Sequence, residues 1–154
     1  MNYELERLAK TIALADPVNE RLRLEFGYLC VFRVRHLLEQ PEVEQCLCGL
    51  ASYLFGAIDR SDFSLIAADA IRLANGHQGS TSIDGCGHAA VSATYAVAKA
   101  AEGKALEAAS YAAYAAVYAQ GGYGAVGDRE SFALEFGWQL NCLESLVLRA
   151  ASPA

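Results

Sequence analysis

Proline is scarce in this chain, with three among 154 residues, at positions 17, 41 and 153. From residue 42 to residue 152, helix breaks must therefore come from glycine or from polar caps. Charge is sparse as well: 19% of the residues are charged against 54% hydrophobic, which excludes a disordered chain. Basic tracts are missing. The 12 basic and 18 acidic side chains give −6, with −3 on either side of residue 77. An evenly acidic surface repels phosphate backbones, so nucleic acid is not an expected partner, whereas a basic protein is compatible with it.

Export and membrane signals are missing too. Met1-Asn2-Tyr3-Glu4-Leu5-Glu6-Arg7 places acids where a signal peptide needs basic residues and an apolar run. Lys99, Glu102, Lys104 and Glu107 interrupt the longest alanine-rich segments, so no apolar stretch reaches the roughly 20 residues that span a bilayer. The five cysteines, Cys30, Cys46, Cys48, Cys86 and Cys142, are odd in number and read as reduced, mostly buried thiols. The expected address is cytoplasmic.

What the chain does have is helix punctuation. A chain of this length can bury roughly 70% of its extended surface, so one core suffices and residues 1–154 read as a single domain. An amphipathic helix is expected over residues 3–14. Asp16-Pro17 is an N-cap followed by proline at the first helical position, with Leu22, Phe26 and Leu29 behind it. Pro41 opens the next segment, and Ser61 or Asp62 is read as the cap of a third that Asn75-Gly76 ends. Two helices, about 88–101 and 104–119, flank Gly103; the second stops at Gly121-Gly122. Asp128 caps a last helix through Leu148. Valine, isoleucine and threonine are too sparse for sheet, so the expected fold is all-α, about seven helices in a compact array.

Alanine supplies 15 of the 31 residues from 89 to 119. Side chains that small let helix axes approach to the low end of the usual 8–10 Å, predicting a tight αα-hairpin around Gly103. On the second of these helices Glu107, Tyr111, Tyr114 and Tyr118 fall within about 60° of one another, and Tyr95 and Glu102 repeat the pairing on the first. Two readings stay open at this stage. The tyrosines pack against flanking helices with their hydroxyls satisfied, or at least two of them wait on the surface beside Glu102 and Glu107 for a basic partner.

Some chemistry is suggested and then falls short. Cys86-Gly87-His88 after Asp84 could be a nucleophile and base at a helix N-terminus, or with His77 part of a zinc site, but neither set is complete in sequence. Cys46-x-Cys48 has the wrong spacing for zinc or redox use, since residues two apart on a helix diverge by about 200°. His36 reads as a helix-face residue, and Arg21, Arg23, Arg33 and Arg35 as a solvated face paired within the helix. The glycines after Ala119 lack the lysine of a phosphate loop. No cofactor, metal or catalytic role is implied.

The tract GHAAVSATYAVAKAAEGKALEAASYAAYAAVYA (87–119), followed by ESFALEFGWQLNCLESLVLR (130–149), resembles a family of α-helical immunity proteins encoded beside bacterial polymorphic toxins. Glu135, Trp138, Gln139 and Leu143 match the closing helix of that family. Where members carry histidines near the end of the second alanine-rich helix, this chain has Tyr118-Ala119-Gln120. The resemblance implies a small cytoplasmic protein that neutralises a cognate toxin by binding it, without catalysis. The expected partner-binding residues are Tyr95, Glu102, Glu107, Tyr111, Tyr114 and Tyr118. Two other classes remain open: a small enzyme or metal protein built on Cys86 and His88, and a helical module that self-associates, as a homodimer, through its alanine faces.

Overall fold

The structure is a computed structural model that describes residues 1–77 and 86–151. Seven α-helices lie in these residues: α1 (Tyr3–Thr11), α2 (Glu20–Arg33), α3 (Pro41–Leu54), α4 (Arg60–Gly76), α5 (Cys86–Ala101), α6 (Ala105–Val126) and α7 (Ala133–Ala151). Among the described residues there is no strand. The all-α expectation holds.

The α5–α6 hairpin is the most extensive helix pair. Ala93, Ala96, Ala100, Ala108, Ala112 and Ala115 are all buried in it. Gly103 turns the chain between the two helices with φ +77°, a conformation that costs a side-chain-bearing residue about 1–2 kcal/mol. Lys104 N–H donates to the Lys99 carbonyl at 2.9 Å and Gly103 N–H to Ala100 at 3.1 Å, the paired bonds of a Schellman cap. Helix α2 crosses both arms, with Gly27 so near Ala100 that a Cβ there would lie 3.3 Å from its Cα. α4 covers α5, α3 fills the angle between α2 and α4, and α7 packs on α2 and carries α1. Phe26, Val31, Leu50 and Leu143 are fully enclosed among these helices.

Local signals set most boundaries. Asp16 Oδ1 accepts from Val18 N–H at 3.0 Å and caps a 3-10 turn, Pro17–Asn19, that leads into α2. Asp128 caps a second such turn, Arg129–Phe132, ahead of α7. Asn2 accepts from Leu5 N–H to cap α1 and donates from Nδ2 to the Phe136 carbonyl at 3.2 Å, pinning α1 to α7. Two expectations are corrected. α4 is capped by Asp59, which accepts from Asp62 N–H at 2.8 Å, so its helix starts ahead of Ser61. It also ends at His77 in extended conformation, without the left-handed glycine expected at Gly76.

Arg21, Arg23 and Arg33 on α2 and Arg35 in the 3-10 turn that follows it do not pair with acids of their own helix, although Arg21 and Arg35 are exposed. Arg33 forms a two-pronged ion pair with Glu135 on α7, Nε–Oε2 at 2.8 Å and Nη2–Oε1 at 3.2 Å, and its guanidinium lies 4.7 Å from the Trp138 ring centre. Arg23 donates to the Leu14 and Asp16 carbonyls, each at 2.7 Å, and Arg21 to the Leu54 carbonyl at 2.9 Å. Arg35 bonds Phe32 O at 2.8 Å and covers its ring. Three of the four therefore tie α2 to other elements, over separations that helical spacing does not encode. Glu135 is 6% exposed, so its charge depends on Arg33. Arg33→Met should cost about 2–3 kcal/mol in urea unfolding, and Arg33→Met/Glu135→Leu should recover most of that loss.

Candidate functional site

The buried alanines of α6 leave its larger side chains at the edges of the hairpin, and the structure divides the tyrosine stripe between two neighbours. Tyr111 stacks on Tyr95 of α5, with ring centres 5.3 Å apart and planes 20° from parallel. Both are half-buried, and Tyr95 Oη–H donates to Asn75 Oδ1 at 3.3 Å, joining this stack to α4. Tyr114 and Tyr118 belong to a second group. Tyr114 meets the Phe132 ring edge-on at 5.1 Å, and Phe132 continues to Phe136 at 5.3 Å. Tyr118 stacks on His88 at 5.3 Å and meets Tyr123 at 6.1 Å, while Tyr114 and Tyr118 are 6.3 Å apart.

Tyr123 reaches this group because α6 kinks. Gly122 has φ +64° and ψ −153°, a region open to glycine almost alone. The straight run of α6 therefore stops at Gly121-Gly122 as expected, and further helical turns resume beyond the kink to Val126. On a straight helix Tyr118 and Tyr123 would diverge by about 140°; the kink brings them together and sets Tyr123 against His88 at 5.0 Å, edge to face. Tyr114 is 40% exposed and Tyr123 51%. The result is an aromatic ladder with one flank in solvent.

The two expected glutamates differ in setting. Glu102, half-buried at the hairpin turn, has Lys104 Nζ at 3.2 Å and Lys99 Nζ at 3.7 Å, and its carboxylate holds Lys104 above the ordinary lysine range. Glu107 shares Lys99 at 3.7 Å but keeps a side chain 57% exposed. Glu102 is thus locally neutralised, whereas Glu107 faces outward. Glu107 and Tyr114 also border a groove of about 990 Å³ between α1, α6, the Arg129–Phe132 turn and the start of α7. Neither this groove nor the pairing of Tyr123, Phe132 and Phe136 with the tyrosines is marked by any periodicity in the sequence.

The residues of the alternative chemistry are less joined. The Cys86 side chain, Asp84 and the rest of the 78–85 connection lie outside the described residues. His88 is exposed and contacts Tyr118 and Tyr123 with its ring. Cys46 is buried and Cys48 exposed, as opposite helix faces require. Burial pushes the Cys30 thiol well above its usual range, helped by the nearby Cys142 and Glu135. Burial likewise pushes Cys142 up to about 11, with Arg149 pulling partly back. Among the described residues no group of three or more His, Cys, Asp or Glu is placed to hold a metal ion, and no helix is long and apolar enough to cross a membrane. Comparison with protein-family models, with curated proteins and with solved structures finds no match to this chain.

Gly122→Ala should destabilise the protein by about 1–3 kcal/mol and weaken the near-ultraviolet circular dichroism of the tyrosines, as Tyr123 leaves the ladder. In iodoacetamide labelling at pH 8, read by peptide mass mapping, Cys48 should react first, with Cys30 and Cys142 protected until the chain unfolds. A thiol raised on folding stabilises below its unfolded pKa, so the Cys142 contribution should fade between about pH 9 and 11.

Proposed function

We propose that this chain is a binding protein that neutralises a cognate protein toxin, as an immunity protein does, by presenting the outer edge of α6 to it. The observation that carries the reading is the exposed flank of the Tyr114–Tyr118–Tyr123 ladder, built on a helix whose other faces are packed alanine. Rings fixed by neighbouring rings lose little entropy on binding, which is why tyrosine concentrates at interface hot spots. Glu107 beside them suits a basic surface on the toxin, and the −6 net charge favours its approach.

The likeness to immunity proteins over 87–119 and 130–149 supports the role in a particular way. Glu135 pairs with Arg33, Trp138 lies under the same guanidinium, Gln139 Nε2 donates to the Ala109 carbonyl at 2.7 Å, and Leu143 is fully buried. These four residues hold α7 onto α2 and α6. What is shared with that family is thus a frame, and what selects one toxin is carried on the surface tyrosines and acids. Tyr95, Tyr111 and Glu102 contribute as supports, through the ring stack and the lysine network.

The product of the adjacent reading frame, co-expressed with this chain, provides the test. Growth arrested by that product should be restored by this chain, and the two should co-purify. Tyr114→Ala and Tyr118→Ala should each weaken the complex by about 2 kcal/mol, roughly 30-fold, and reduce rescue, while Tyr95→Ala does so less. Loss of affinity only in variants that have also lost their folded circular dichroism would make the rings structural and remove this site.

A further inference from the structure

We propose that the groove between α1, α6 and the start of α7 receives one face of a basic amphipathic helix from the protein partner; this rests on the reading that the chain works by binding a protein. The groove extends the tyrosine ladder, since Tyr114 belongs to both. Its deeper lining is aromatic and apolar, with Phe132 buried and Phe136 half-buried beside Tyr114. Its margin is acidic: Glu4, Glu6, Glu107 and Glu130 stand against Arg129 and the Met1 amino group. Among the described residues, Glu4, Glu6 and Glu130 have no cation within ion-pair distance. Apolar rings below and unneutralised carboxylates along the sides are complementary to a helix with leucine-like residues on one face and lysine or arginine flanking them.

Size and backbone chemistry select the shape of the occupant. A helix about 10 Å across would seat one face in this groove of about 990 Å³, which is open to solvent along one side. A peptide that binds by adding a strand needs a sheet edge, and no strand occurs among the described residues. A helix brings its own hydrogen bonds. The exposed Tyr3, at 59%, and Met1, at 73%, add apolar area at the same mouth.

The probes are three synthetic peptides of the same length: a Lys/Leu peptide with helical spacing, a Lys/Ser peptide of equal charge without the apolar face, and a Glu/Leu peptide. Titrated into the ¹⁵N-labelled protein, the Lys/Leu peptide should shift the amides of Glu6, Ser110, Tyr114 and Phe136. The Lys/Ser peptide should bind at least tenfold more weakly, and the Glu/Leu peptide should leave these amides unmoved. Glu6→Lys/Glu130→Lys should weaken the Lys/Leu peptide at least tenfold, with Glu6→Gln/Glu130→Gln intermediate; these are surface positions whose folding is checked in the same spectra. Shifts centred elsewhere, indifference to the charge reversal, or equal binding of Lys/Leu and Lys/Ser peptides would overturn the groove. None of these results depends on toxin rescue. Rescue that is lost in Tyr118→Ala but kept in Glu6→Lys/Glu130→Lys rejects the groove and leaves the inhibitory reading standing.

Discussion

The fold depends on how closely α5 and α6 approach. Their facing side chains are almost all alanine, which loses no rotamer freedom on burial and holds the backbones together through many small dispersion contacts. A close pair of helices has no space between them for a ring. Every aromatic side chain of α6 is therefore displaced to the edges of the pair, where it can be covered on one side only. Half-exposed tyrosines are the geometric consequence of an alanine seam. Widening that seam would relax the constraint at a cost of about 1–3 kcal/mol per overpacked position. The same seam gives Gly27 of α2 its close contact with Ala100, so the crossing helix is registered against the hairpin as well.

Much of this frame was legible in sequence because its signals are local. Asp16-Pro17, Pro41, Gly103 and Asp128 act within one turn of themselves, and each sits where its chemistry predicts. The corrections arise where distance or competition decides. Asp59 caps α4 by accepting the Asp62 N–H, so Arg60, Ser61 and Asp62 are already inside the helix. The arginines of α2 have acids at helical spacing, yet a backbone carbonyl or a buried carboxylate on another element offers a better-desolvated partner than an exposed neighbour. Arg33 and Glu135 are 102 residues apart, and no periodicity joins them.

The candidate site was legible by halves. The 3.6-residue period correctly aligned Tyr111, Tyr114 and Tyr118, but period alone does not say which neighbouring element each ring meets. The direction of α5 assigns Tyr111 to Tyr95, and the returning chain after the kink assigns Tyr114 to Phe132. Tyr123 was hidden because paired glycines signal a helix end in most settings. Here Gly122 takes up the whole change of direction in one residue, and helical turns follow it directly. The informative signal was the tyrosine just beyond the glycines, which a terminal loop has no reason to carry and a folded-back turn can place.

Charge divides α6 in a way that bears on binding. At the hairpin turn Lys99 and Lys104 lie beside Glu102, and Lys99 also reaches Glu107, so that end presents little net field. At the groove, among the described residues, no cation lies within ion-pair distance of Glu4, Glu6 or Glu130. A structural role accounts for part of this: Glu4 and Glu6 occupy the first turn of α1, where the helix dipole favours acids by about 0.3–1 kcal/mol each. Glu107 and Glu130 likewise sit in the first turns of α6 and of the 129–132 turn, so all four acids at this groove occupy helix starts. Converging like charges repel one another, and the repulsion is relieved when a cation enters between them. The helix starts that favour acids thus gather four glutamates around partly bare rings, and local backbone electrostatics gives this groove its sign.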